Sequence, residues 1–172
     1  MPGPLHPPNC TIIIRMETPE FKTVGIVGAG AMGRGIAQIA AQAGSKVLLF
    51  DTQADAVAKA RESVAAQWDK LVEKGRIDAA AATAQKERLQ PAATLADLAP
   101  CDLIVEAIVE RLDVKKGLFA ELEGIVQTTA VLATNTSSLS VTAIAAGLKR
   151  PQQFAGFHFF NPVPLMKVVE CI

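Results

Sequence analysis

Two sets of residues in this chain are of types that act on a substrate together. Gly28-Ala29-Gly30-Ala31-Met32-Gly33 has the glycine spacing that cradles a diphosphate, and His158-Phe159-Phe160-Asn161-Pro162 carries an imidazole followed, twelve residues later, by Glu170. His158 and Glu170 are equidistant from Pro164. A strand that ends near His158 and turns back through Pro162 to Pro164 brings a returning strand, Lys167 to Ile172, beside it, with the two side chains roughly opposite each other. A base with an orienting carboxylate beside a nicotinamide suits oxidation of an alcohol: hydride leaves the carbinol carbon while imidazole takes the hydroxyl proton. Glu170 would fix the tautomer and stabilise the imidazolium that forms. A histidine flanked by phenylalanines is otherwise more often a satisfied core residue, and the upstream glycine-rich loop is what favours chemistry here.

The elements that must position these residues follow from apolar patterning. From Lys22 onward, short apolar runs alternate with helical segments: Thr23 to Val27, Met32 to Ala43, Lys46 to Phe50, then a long helix from about Ala54 to Glu73. Leu103 to Val109 and Ala130 to Ala133 read as further buried strands, Leu112 to Val126 and Val141 to Ala146 as helices. The alternation predicts an α/β fold of the Rossmann type, with a doubly wound, mainly parallel sheet. Val57, Val64, Trp68, Leu71 and Val72 form a stripe down the long helix, which stops at Gly75 and is followed by alanine-rich Asp78 to Leu89; the two helices predict a hairpin arm. Its basic residues, Lys59, Arg61, Lys70, Lys74 and Arg76, read either as a solvated face or as a grip on an anionic ligand. Pro91 and Pro100 punctuate the return to the sheet.

In that context the glycine turn gains specificity. It follows a strand and opens a helix: Gly28 permits the tight turn, Gly30 lets the backbone approach a pyrophosphate, and Gly33 allows close packing of helix on strand. Asp51, at the end of the second strand, would accept from the adenosine ribose hydroxyls and repel a 2′-phosphate, which favours NAD over NADP. Glu110 follows Val105-Glu106-Ala107-Ile108-Val109 into a loop at the carboxyl edge of the sheet, where it faces the cofactor or is an ordinary solvated glutamate. Lys115, taken alone, reads as a surface lysine. Ser137 or Ser138 in Asn135-Thr136-Ser137-Ser138 would cap the helix that follows, a role compatible with ligand binding. A serine hydrolase built on Ser137 and His158 is disfavoured, because no Gly-x-Ser-x-Gly elbow is present.

Composition bounds the rest. Half of the 172 residues are apolar, enough for one well-buried core, and 17 basic residues balance 17 acidic ones without clustering, so neither nucleic acid nor an anionic membrane is an expected partner. The three cysteines, Cys10, Cys101 and Cys171, are odd in number and widely spaced, which favours reduced structural thiols and a cytoplasmic setting. Only two histidines, His6 and His158, are present, and no metal is expected. No apolar run is long enough to span a membrane, and Thr11 to Ile14 is too short for a secretory signal. Residues 1–21, with Pro2, Pro4, Pro7, Pro8 and Pro19, read as a mobile extension that initiation at Met16 would largely remove; residues 22–172 read as one domain.

From Lys22 to Ile172 the sequence resembles the amino-terminal domain of the L-3-hydroxyacyl-CoA dehydrogenases, in particular bacterial enzymes of short-chain or dicarboxylic acyl-CoA, including those of phenylacetate breakdown. The likeness rests on Gly28 to Ala37, Val105-Glu106-Ala107-Ile108-Val109-Glu110, Asn135-Thr136-Ser137-Ser138-Leu139 and Phe157-His158-Phe159-Phe160-Asn161-Pro162. It implies NAD-dependent oxidation of (3S)-3-hydroxyacyl-CoA to 3-oxoacyl-CoA, with His158 as general base, Glu170 as its partner and Ser137 in contact with the substrate oxygen and the cofactor. It further implies that Glu110, Lys115 and Asn161 bind NAD, with Ala31, Met32, Ala107 and Asn135 of the matched motifs in the same site, and that Lys74 contacts CoA from the arm.

Members of that family continue into a helical domain that completes the acyl pocket and forms a homodimer interface. The sequence in hand stops at Ile172, so the expectation is a fragment or isolated domain that binds NAD and turns over poorly. Two other readings stay open. One is an NAD-dependent dehydrogenase of a free hydroxy acid, which Phe159-Phe160 argues against; the other is a non-catalytic dinucleotide-binding module.

Overall fold

The computed structural model describes residues 20–172, Lys167 excepted. The expectations placed on residues 1–19, including the extension, initiation at Met16 and the roles of His6 and Cys10, lie outside the described residues. The chain alternates strand and helix as β1 (Thr23–Val27), α1 (Ala31–Gln42), β2 (Lys46–Phe50), α2 (Ala54–Glu73), α3 (Ala79–Arg88), β3 (Leu89–Pro91), β4 (Leu103–Glu106), α4 (Leu112–Ile125), β5 (Val131–Thr134), α5 (Val141–Ala145), β6 (Phe154–Phe159) and β7 (Val169–Cys171). The sheet order is β3-β2-β1-β4-β5-β6-β7, with every pairing parallel except the last.

Strand alternation divides the core in two. Val24 and Ile26 face α1 and α2 on one side, where Ile36, Val57, Val64 and Trp68 are buried. Val27 and Leu48 face the other side, with Phe119, Leu122 and Ile144 of α4 and α5. Helices therefore cover both faces, and the winding reverses between the adjacent strands β1 and β4. That reversal opens a crevice at the carboxyl ends of the strands.

The hairpin of α2 and α3 forms as expected, but it is no free arm. Trp68 is fully buried in the core and Arg88 donates from Nη1 to the Ala41 carbonyl on α1. Asp78 caps α3 by accepting from the Ala81 N–H at 2.6 Å. Three differences from the sequence reading concern strands. The run expected from Leu103 to Val109 stops at Glu106, because Glu106 turns its carboxylate back onto the Ile108 N–H. β3 was not anticipated, being three residues long and ending in Pro91, which a sheet edge tolerates. The strand expected from Lys167 begins at Val169. On the face carrying α1, an apolar groove of about 560 Å³ runs past Val24, Ile39, Leu103 and Phe157.

Candidate active site

β1 passes to α1 through Gly28, whose φ of +104° a side chain would strain and whose Cβ position would lie 2.5 Å from the Ala107 carbonyl oxygen. A Cβ on Gly33 would sit 1.8 Å from the Gly28 carbonyl oxygen, so the turn and the first helical turn fit together only as glycines. Gly30 is different: a Cβ there would meet nothing within 4 Å. It is the N-cap of α1, offers no side-chain cap, and the first turn holds no acidic residue. The free N–H groups and partial positive charge of the helix end therefore face open space, a setting suited to an anion. Asp51, just past β2, accepts from the Ala29 N–H at 2.7 Å and the Gln53 N–H at 2.9 Å, and lines a cavity with Phe50, Arg61 and Pro91. An open cradle over an uncapped helix end, with a carboxylate at the next strand, fits a dinucleotide's diphosphate and ribose.

The next two loops are joined by a polar network that begins in the core. Glu106 has no exposed side-chain surface; its carboxylate accepts from Lys115 Nζ at 2.6 Å, Thr134 Oγ1 at 2.7 Å and the Ile108 N–H at 2.7 Å. Lys115 is equally buried and lies 3.3 Å from Glu110 Oε2, which overturns the reading of it as a surface lysine. Glu110 is not an ordinary solvated glutamate either. Its Oε1 accepts from Thr136 Oγ1 and from the N–H groups of Ser137 at 3.1 Å and Ser138 at 3.4 Å. Burial works to raise the Glu110 carboxyl, but the Thr136 hydrogen bond and the Lys115 charge outweigh it and hold the group below the usual carboxylate range. The cap expected of Ser137 or Ser138 belongs to Ser140, whose Oγ accepts from the Ala143 N–H at 3.1 Å. The Ser137 and Ser138 amides are thereby left to Glu110.

The third component comes from the sheet's last two strands. β6 and β7 pair antiparallel with His158 opposite Glu170, and His158 Nδ1 lies 2.9 Å from Glu170 Oε2. Among the described residues, Nε2 of the same ring has no hydrogen-bond partner. Phe160 packs its ring on the imidazole with centroids 4.6 Å apart. Asn135 ties the components together, its Oδ1 accepting from the Phe159 N–H at 2.9 Å.

Met32, Ala107, Glu110, Asn135, Ser137, His158 and Asn161 line a single crevice of about 380 Å³. Glu170 stands behind His158, Gly28, Gly30, Ala31 and Gly33 form the adjoining turn, and Lys115 lies beneath the floor. Lys74 is not gathered with them; it is exposed at the end of α2. Sequence reasoning missed Glu106, Thr134 and Thr136. The available signal was a glutamate and a threonine as the last residues of otherwise apolar strands, with a second threonine just past one of them, where an unpaired polar group is costly.

A doubly wound sheet with an open glycine cradle at its switch point and a histidine–carboxylate pair on its last two strands defines a dinucleotide-binding domain of an oxidoreductase. Residues 23–172 match the family described as 3-hydroxyacyl-CoA dehydrogenase, NAD binding domain, and the chain belongs to that family. It is 45% identical over 153 residues to a 3-hydroxyadipyl-CoA dehydrogenase of Escherichia coli (strain K12), a match that covers 89% of this chain and 32% of the relative. It is 43% identical over 152 residues to a 3-hydroxybutyryl-CoA dehydrogenase of Bradyrhizobium diazoefficiens, covering 88% and 52% respectively. The crystal structure of a 3-hydroxybutyryl-CoA dehydrogenase from Escherichia coli K12 superposes with a TM-score of 0.86 at 45% identity, over 88% of this chain and 32% of that one. The chain thus spans a third to a half of these relatives' lengths. The dinucleotide that the family description names, NAD, is the one that Asp51 and the cradle fit.

Proposed function

We propose that the protein carrying this chain oxidises (3S)-3-hydroxyacyl-CoA to 3-oxoacyl-CoA. The observation that carries this reading is the His158–Glu170 pair opening onto the crevice beside the glycine turn, which Met32 and Ala107 line. Bound along Gly28 to Gly33, Asp51, Glu110 and Asn161, NAD supplies the hydride acceptor.

His158 Nε2 is the group that takes the carbinol proton. Glu170, 2.9 Å from Nδ1, keeps the ring's own proton on that nitrogen, orients the ring and stabilises the imidazolium. Ser137, on a loop pinned by Glu110, contacts the substrate oxygen and the cofactor. Much of the rate then comes from orientation, because the loops that carry these groups are tied together by hydrogen bonds before a substrate arrives. Lys74, out on the hairpin, is assigned to the CoA end of the substrate.

On the same reading the complete protein is a cytoplasmic homodimer. The large apolar side chains exposed at Leu165, Met166, Val168 and Ile172 support a further protein surface packing near the crevice. No helix among the described residues is long and apolar enough to cross a membrane.

The test is NADH oxidation by the gene product carrying this chain, with acetoacetyl-CoA against free acetoacetate. Activity confined to the thioester is expected. Equal activity on the free acid would make it a hydroxy-acid dehydrogenase, and NADH binding without turnover of either would make it a non-catalytic module.

A further inference from the structure

The end of β4 holds an ion pair for which the chemistry above has no use. Glu106 and Lys115 are fully buried and 2.6 Å apart. Three donors hold the Glu106 carboxylate, Lys115 and the Ile108 N–H on one oxygen and Thr134 on the other. The only other partner of Lys115 among the described residues is Glu110, at the longer distance of 3.3 Å. Glu110 in turn spends its second oxygen on Thr136, Ser137 and Ser138. One line of contacts therefore runs from the core through a single ammonium to the backbone of Ser137.

Stability alone does not account for such a pair, since well-packed neutral groups in its place are often neutral or better for folding. What the charges do is divide the Lys115 ammonium unequally between two carboxylates. Glu106 takes the short contact and holds the ammonium under the crevice floor. Glu110 receives only enough of it to fix Oε2, and Oε1 stays with the serine turn.

We propose that Glu106 and Lys115 are positioning residues for Ser137, acting through Glu110; this rests on the reading of Ser137 as the contact to the substrate oxygen. Without the Glu106 charge, Lys115 has Glu110 alone to pair with and draws it away from the turn. Without Lys115, Oε2 of Glu110 loses the contact that fixes it, whether or not Glu106 keeps its charge, and Glu110 is free to leave the turn. Lys115 reaches a bound cofactor only through Glu110, because its own ammonium has no exposed surface.

The test uses Glu106→Gln, Lys115→Met and the double variant, which removes the stranded charge that each single change leaves behind. Amide hydrogen exchange of the 172-residue chain reads the turn directly. In the double variant the β4 and β5 amides should keep their protection within about twofold, while Ser137 and Ser138 exchange about tenfold faster or more. In the gene product carrying the chain, kcat with acetoacetyl-CoA should fall about 10- to 100-fold in the double variant, and NADH affinity, in which the displaced Glu110 has a share, by a smaller factor of about threefold to tenfold.

Recovery of turn protection and kcat together with core protection in the double variant would mean the pair is merely structural and would overturn the proposal. So would a loss of NADH affinity with Ser137 and Ser138 protection unchanged, which would mean that Lys115 acts on the cofactor itself. A parent protein inactive on acetoacetyl-CoA would instead bring down the functional reading, and Ser137 and Ser138 exchange would still decide whether the pair positions the turn.

Discussion

Glu170 meets His158 across the single antiparallel pairing of the sheet, with Oε2 2.9 Å from Nδ1 and the two residues in direct register. The contact uses one ring nitrogen and leaves the other toward the crevice. The carboxylate is more exposed than the imidazole, at 56% against 22%. It therefore orients the ring from the solvent side rather than from within the core.

Replacing His158 with Gln should lower kcat by about 10²- to 10⁴-fold while leaving NADH affinity within about threefold. Glu170→Gln keeps an acceptor in place and removes the charge, so it should cost less. Steady-state kinetics with an NADH fluorescence titration separates the two quantities. Equal loss of both in His158→Gln would point to a structural histidine.

The glycine turn gives two substitutions with opposite consequences. Gly33→Ala forces a Cβ to within 1.8 Å of the Gly28 carbonyl and should destabilise the fold by about 3 kcal/mol or more, read as a drop in the urea midpoint. Gly30→Ala meets no atom within 4 Å, so the midpoint should hardly move, yet NADH affinity should drop about tenfold as the methyl enters the diphosphate space. Unchanged affinity in Gly30→Ala would take the diphosphate away from this turn.

Two hydrogen-bonded carboxylates, Glu110 and Glu123, should make stability fall in acid. Burial works against the Glu123 charge, but the N–H groups of Lys149 and Arg150 and the Arg150 charge hold it low, as the Thr136 bond and Lys115 do for Glu110. Both folded values lie below the unfolded glutamate value of about 4.3, so their stabilisation is fully present above that pH and is lost as pH falls through the folded values. Urea midpoints should decline as the pH falls below about 5, and Glu123→Gln should flatten the decline. An unaltered slope in that variant would exclude Glu123 as a source.

The two cysteines among the described residues should differ sharply toward a thiol reagent. Burial pushes the Cys101 thiol up to about 12, whereas Cys171 is exposed on β7. Peptide mass spectrometry after brief alkylation should find Cys171 modified and Cys101 untouched until urea unfolds the chain. Early labelling of Cys101 would mean that the segment leading into β4 opens in the native state.

Features set by local spacing were legible in the sequence. The symmetry of His158 and Glu170 about Pro164 predicted their register, and the glycine turn with Asp51 predicted the cradle, because each depends on neighbours a turn or a strand apart. The Glu106 network was not legible. Thr134 lies 28 residues from Glu106 and meets it only once β5 is laid beside β4, so no periodicity announces the contact. Lys115 was misread for the same reason: on the helix surface alone it is a cation facing water, and only the buried carboxylate beneath it reverses that. The three-residue β3 escaped because its hydrogen bonds, rather than its composition, make it a strand.

β7 holds Glu170 at the rim of the sheet with one neighbour, β6, and all three of its residues are exposed. Such a rim strand can detach by breaking a few backbone hydrogen bonds while the central strands stay closed, so its opening free energy is far smaller than that of the domain. The alignment of the imidazole is then governed by a local equilibrium. On warming, the orienting carboxylate should be lost from the ring before circular dichroism registers any melting, and a partner surface that clamps β7 would raise the working temperature of the site without making the domain any more stable.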